Sequence, residues 1–328
     1  MFFMMQRKGN LMGVREDIKV LDATIRDGGL CNNFNFTDEF VSDLYRANVK
    51  SGIDYMEFGY KSSKSMFDPD KYGKWKFCAE EDIRAIVGDN ISDMKISVMA
   101  DVGRCDYKTD FVKKSESVID MVRVACYLHQ IPAAIEMVEH FHDLGYETAC
   151  NIMAVSQANS DQLMQALDML AHTNVDVIYL VDSYGSLYPE NASELAKKYI
   201  AAVEGTGKQI GFHAHNNQNL AFANTIETMS YGLSYMDATM QGIGRGAGNC
   251  SIELLVGFLK NPKYNIYHLL KFIEKHMPSL REQGVHWGYD LQYMFTGLLN
   301  RHPKEAIEFT NDERTDYAEF YKSLLENH

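Results

Sequence analysis

The sequence predicts a (β/α)8 (TIM) barrel followed by a C-terminal helical region. Three observations carry this. Eight apolar runs recur between residues 18 and 260, with helical patterns separating them. The runs are rich in Val, Ile and Met rather than strictly alternating, as expected of strands covered on both faces. The structural rival, an open doubly wound sheet, places a G-x-G-x-x-G fingerprint after its first strand; here that stretch reads GGLCNN.

In order, the first strand is IKVLDAT (18–24), running into the charged, glycine-bearing IRDGGL. A helix follows over 37–52, with Thr37 as N-cap and Phe40, Val41, Leu44 and Val49 as its apolar stripe. DYMEFGY (54–60) is the second strand, and EDIRAIVGD (81–89) reads as helical. DMKISVMAD (93–101) and VIDMVRVACY (118–127) are the third and fourth strands. A helix over 132–145 has Pro in its first turn and Gly at its end. Strands over 147–156, 175–183, 209–216 and 235–244 then alternate with helices over 160–174, 189–205, 219–232 and 249–260. Each strand is therefore expected to lead into a helix. Residues 1–17 are expected to be an N-terminal extension, 18–260 the catalytic barrel, and 261–328 a helical region packed on it.

A chain of 328 residues, 46% hydrophobic, has ample material for one large core. Its formal net charge of -13 argues against a nucleic-acid or anionic-membrane partner. The six cysteines are scattered, with no CxxC pair, and read as reduced thiols of a cytoplasmic protein. No apolar run approaches the ~18 residues of a membrane span, and the N-terminus has no signal-like apolar stretch.

In a barrel of this kind, chemistry sits at the C-terminal ends of the strands. That rule selects Arg26 and Asp27, Glu57, the stretch from Arg123 to His129, Asp182 and Ser183, His213 and His215, and the loop GIGRGAGN. His213 and His215 stand two apart on a strand and so share a face. With one carboxylate, best supplied by Asp27, they make a two-His, one-acid facial set that suits Mn²⁺, Mg²⁺, Co²⁺, Fe²⁺ or Zn²⁺. The plainer alternative is a pair of hydrogen-bonded polar histidines near a strand end. Five polar or small residues in HAHNN, where a buried strand should be apolar, tilt the balance to a site. Gly242, Gly244, Gly246 and Gly248 permit close backbone approach, and a glycine loop before a helix can hold an anion. Asn249 either caps the last helix or points back into the site, with Glu253 one turn on.

Four stretches together resemble the DRE-TIM, or HMGL-like, metallolyases. DATIRDGG resembles their D-x-T-L-R-D-G, GFHAHNNQNLAFAN their G-x-H-x-H-N-D/N-x-G-L-A-x-A-N, GIGRGAGNCSIE their G-x-G-x-x-x-G-N-x-x-x-E, and VDSYGSLYP their D-(S/T)-x-G-x-x-x-P. The match spans about residues 18–260 and is nearest in look to the 4-hydroxy-2-oxovalerate aldolases. It implies a divalent ion, Mn²⁺ first, then Mg²⁺, Co²⁺ or Zn²⁺, held by Asp27, His213, His215 and Asn249. It implies that Arg26 steadies a pyruvate enolate, and that Asp182, Ser183, Gly244 and Gly246 border the substrate. The expected reaction joins or cleaves pyruvate and an aldehyde. The alternatives are a Claisen-type synthase using acyl-CoA, and a metal-binding barrel without turnover. The expected partners are a small 2-oxo acid and an aldehyde, in a homo-oligomer; an aldehyde dehydrogenase partner, known in some relatives, has no docking signature here.

Two departures stand out. The aldolases carry a histidine soon after R-D-G, and the synthases carry R-D-G-E-Q; this chain has Gly29, Leu30 and Cys31. The base is therefore sought elsewhere, in Tyr289 and Tyr293 of WGYDLQYM, or in His286 or His129.

Overall fold

The computed structural model describes residues 14–326. Most of the expected N-terminal extension lies outside the described residues. Eight parallel strands close a barrel in chain order: β1 (Lys19–Asp22), β2 (Tyr55–Tyr60), β3 (Lys95–Asp101), β4 (Met121–Cys126), β5 (Glu147–Ile152), β6 (Val177–Asp182), β7 (Gln209–Ala214) and β8 (Tyr235–Ala238). The closing pair sets Leu21 of β1 opposite Asp237 of β8. Around the barrel lie α1 (Thr24–Asn32), α2 (Asp38–Ser51), α3 (Glu80–Val87), α4 (Ile131–Asp143), α5 (Ser160–Ala171), α6 (Pro189–Ala202), α7 (Ala221–Ser230) and α8 (Ile252–Leu259). Four more helices follow: α9 (Ile266–Glu282), α10 (Leu291–Leu298), α11 (Lys304–Asn311) and α12 (Tyr317–Glu326). The architecture is the TIM barrel with C-terminal helices. None of the described helices is long and apolar enough to cross a membrane.

Alternation along each strand divides the core in two. Met56, Phe58, Val98, Val124, Ile178 and Phe212 pack outward against the helices. Leu21, Tyr55, Met121, Ala149, Val177 and Tyr179 fill the barrel itself. Gly211 is required by the second set, because a Cβ there would stand 2.4 Å from the Tyr179 ring.

Three expectations change. The first strand stops at Asp22, and IRDGG belongs to α1 rather than to a strand end and turn. Asp22 is the cause: its buried carboxylate accepts the Thr24 amide at 2.8 Å, the Thr24 hydroxyl and the Asn48 amide, turning the chain at once into the helix. Gly29 fits inside α1 because a Cβ would collide with the Phe34 ring at 2.2 Å. The eighth strand ends at Ala238, well before the glycine loop. Between β3 and β4 the only helical piece is a single 3-10 turn, Lys114–Glu116. That connection, VGRCDYKTDFVKKSES, has too few apolar residues to bury a helix face.

Candidate metal centre and its cavity

The C-terminal end of the barrel opens into a cavity of about 240 Å³. At its floor Asp27, His213 and His215 converge, with one ligand atom from each lying within 4.8 Å of the others. Asp27 comes from the first turn of α1, where a helix N-terminus favours a carboxylate. His213 is the penultimate residue of β7 and His215 directly follows the strand; their rings meet edge to face with centroids 5.2 Å apart. All three are buried. Asn249 is tied to this corner by a backbone bridge to His215. Its Nδ2 donates to the Ile243 carbonyl at 3.1 Å, while its buried Oδ1 has no protein partner.

A closed ring of charge surrounds His213. Arg26 donates to Asp27 and to Glu57, each at 2.8 Å. Arg123 joins Glu57 at 2.9 Å and Asp237 at 2.6 Å, its guanidinium lying 4.2 Å from the Tyr179 ring centroid. Asp237 reaches His213 Nδ1 at 3.0 Å, and His213 Nε2 returns to within 3.1 Å of Asp27. A carboxylate at Nδ1 fixes the proton there and leaves Nε2 as a ligand atom. That Nε2 is buried and makes no hydrogen bond. Two guanidinium groups face three carboxylates, so with neutral imidazoles the ring keeps one excess negative charge. A buried excess of that sign is offset by a proton on His213, whose pKa is raised, or by a bound cation.

The pKa shifts follow from this ring. Burial works against ionisation of Asp27, yet Arg26, His215 and His213 hold it well below the usual carboxylate range. Burial, aided by His213, Arg245 and Arg26, pushes His215 down to about 3 against the pull of Asp27, so it is neutral at pH 7. His213 is raised: burial lowers it, but Asp237 and Asp27 outweigh that. One carboxylate, neutral imidazole nitrogens and an unpartnered amide oxygen are the donor set a divalent ion takes. The residues fit the metal that the sequence implied.

The other expected site residues divide. Arg26 and Ser183 line the cavity. Ser183 Oγ also accepts the Ala154 amide at 2.9 Å. Gly244 gives Asn249 and Asp27 their space, since a Cβ there would stand 2.1 Å from Asn249 Nδ2 and 3.1 Å from Asp27 Oδ1. Gly246, at φ 67°, sits against Asn217 and Tyr293. Asp182 spends both carboxylate oxygens on the amides of Ser186 and Leu187, shaping the loop after β6 rather than facing the cavity. The candidate bases are not brought to the cavity wall. Tyr293 is packed among Ala247, Ala306 and Phe309, with its hydroxyl near Thr310. Tyr289 is half exposed, His286 pairs with Asp290 at 2.5 Å, and His129 stacks on Tyr127. In their place the wall carries Tyr60, Lys76, Asp101, Tyr184, Arg245 and His302.

Sequence reasoning missed Asp237, and the signal was present. YMDA is an apolar run with one acid in it, as YMEFGY and MVRVAC each hold one charge. A charge inside a buried strand needs a partner on the same interior face. Lys76 and His302 lie in connecting segments, where no periodicity marks them.

Comparisons with known proteins agree with this geometry. The HMGL-like family model matches residues 17–277. The chain is 30% identical over 251 residues to an oxaloacetate decarboxylase of Mycobacterium tuberculosis, covering 75% of this chain and 70% of that one. It is 27% identical over 254 residues to a 4-hydroxy-2-oxovalerate aldolase of Pelotomaculum thermopropionicum, covering 76% and 72%. The solved N-terminal domain of a candidate aldolase from Bacteroides vulgatus superposes with a TM-score of 0.74 at 28% identity, over 89% of this chain and 96% of that one.

Proposed function

The chain belongs to the HMGL-like family, and from that premise we propose that it is a divalent-metal-dependent carbon–carbon lyase that cleaves a 4-hydroxy-2-oxo acid to pyruvate and an aldehyde, or runs the reverse. The observation that carries this reading is the buried triad of Asp27, His213 and His215 with Arg26 beside it, at the floor of a cavity sized for a small acid. An ion bound there supplies Lewis-acid polarisation of the 2-oxo group. The protein's own residues do the rest. Arg26, held by Asp27 and Glu57 and with its Nη2 3.5 Å from His213 Nδ1, lines the cavity and is the guanidinium placed for the carboxylate or the developing enolate oxygen. Asp237 keeps the His213 ring in one tautomer.

A second lyase reading is favoured by Leu30. It lines the cavity in the stretch soon after R-D-G, where the resembled aldolases keep a histidine. Retro-aldol cleavage must remove an alcohol proton, and a leucine cannot take it. Loss of carbon dioxide from a 3-carboxy-2-oxo acid such as oxaloacetate needs no such base. Both reactions generate the same enolate. The test is pyruvate release from 4-hydroxy-2-oxopentanoate and from oxaloacetate with added Mn²⁺, followed by coupled reduction. Release from the hydroxy acid establishes the aldolase, and release from oxaloacetate alone, above the rate with Mn²⁺ and no protein, establishes the decarboxylase. Release from neither, with free CoA formed from acetyl-CoA and a 2-oxo acid, would overturn both in favour of a synthase.

A further inference from the structure

Lys76 is a buried charge with no ion-pair partner within 4 Å among the described residues. It closes the 3-10 turn Lys74–Lys76 after β2, is only 6% exposed, and lines the cavity. Its ammonium stands 4.2 Å from the Phe67 ring centroid, 4.3 Å from Tyr60, 5.1 Å from Phe34 and 5.9 Å from Tyr72. Ring faces attract a cation but accept none of its three N–H bonds in the way an oxygen does. Among the described residues it forms no ion pair and donates no hydrogen bond; Asp101 acts on it only through space. A buried ammonium so placed is costly unless something in the cavity completes it.

The surroundings point to an anion. The charged groups lining the cavity are Arg26, Lys76, Arg104 and Arg245 against Asp27 and Asp101, a balance of four minus two, or +2. The chain as a whole carries -13. Arg104 lies no nearer than 3.9 Å to the Asp101 carboxylate, and Arg245 has a buried Nε with no partner. One 2-oxo acid carboxylate at Arg26 leaves Asp101 as the one lining acid opposite Lys76, Arg104 and Arg245. Tyr60 joins the two ends: its ring covers Lys76, and its hydroxyl feels the charges of Arg26 and Asp27.

We infer that Lys76 is the anchor for a second carboxylate, so that the substrate is a 2-oxo dicarboxylate, anionic at its distal end, rather than a 2-oxo acid ending in an alkyl group. The inference rests on the lyase reading for the 2-oxo acid end and adds the substrate class. Burial pulls Lys76 down to about 8, which leaves it mostly charged at pH 7. The aromatic walls keep competing water from the ammonium while leaving it open toward the cavity.

The test compares two unreactive, length-matched probes, 2-oxoglutarate and 2-oxopentanoate, binding to the full Mn²⁺-loaded chain by titration calorimetry. The wild-type protein is expected to prefer 2-oxoglutarate by roughly 10- to 100-fold, the range spanned by one charge-assisted hydrogen bond. Lys76→Met should erase that preference without weakening 2-oxopentanoate, and Lys76→Arg should restore part of it. Equal affinity of the wild-type protein for both probes overturns the inference with no variant needed. So does Lys76→Met weakening both probes equally. The failures separate: pyruvate release with no preference keeps the lyase and removes the subsite, whereas a Lys76-dependent preference without pyruvate release keeps the subsite and removes the lyase.

Discussion

At the residue scale, each side chain of the triad and of the charged ring behind it is held by a named neighbour. Asp27→Asn or His213→Ala is expected to abolish Mn²⁺ binding in a titration, and retention of tight binding would refute the assignment. Asp237→Asn tests the residue behind the ligand. It keeps the shape but weakens the hold on His213 Nδ1, so Mn²⁺ affinity should fall roughly 10- to 100-fold with the circular dichroism spectrum unchanged. An unaltered dissociation constant would show that His213 needs no such support. The triad was legible in the sequence because two histidines two apart on a strand can only point together. The ring behind it was legible only in part, since Glu57 and Arg123 were selected by their place near strand ends but Asp237, which joins Arg123 to His213, was not. Lys76 and His302 were not legible: each reaches the cavity from a connection whose path no periodicity records.

At the element scale, α1 shows how a local carboxylate overrides propensity. Two glycines in succession argue for a turn. Asp22 instead accepts the Thr24 amide and turns the chain into a helix, and that is where the prediction of strand one failed. Burial, against the hydrogen bonds from Thr24 and Asn48, pushes Asp22 up to about 6 from its ordinary 3.8. The folded state therefore holds a proton that the unfolded chain gives up. The resulting stabilisation is fully present below about pH 4 and is lost as pH rises through about 6. The shift corresponds to roughly 3 kcal/mol. In Asp22→Asn this pH dependence should vanish, so that urea midpoints at pH 5 and pH 7 draw together relative to wild type. Asn48 has an unpartnered Oδ1 with which to accept the new amide by flipping. A wild-type slope that persists in the variant would assign it to another group. The missing helix between β3 and β4 is a different failure: an expected repeat was carried across a segment with no apolar stripe.

At the scale of the whole molecule, the segment after α9 is bonded to the loop at the cavity mouth. The aromatic segment WGYDLQYM is anchored to the barrel by Trp287 rather than by its tyrosines. That indole is buried and donates at 3.0 Å to the carbonyl of Gln241, on the loop that carries Arg245 and Asn249. Trp287→Ala is expected to cost roughly 3–5 kcal/mol of stability and to weaken Mn²⁺ binding through that loop; loss of stability with unchanged metal affinity would uncouple the two. The ring of Arg26, Glu57, Arg123, Asp237, His213 and Asp27 reaches further still. Its members sit on β2, β4, β7, β8 and the helix after β1, so it spans the barrel from wall to opposite wall. Opening any one of these elements leaves a bare charge in an apolar interior, and a partly opened barrel is then worse than an intact or a fully unfolded one. The slowest backbone amides of these strands should accordingly exchange with solvent together, in a single global event, with no sub-global step that frees one edge of the barrel first.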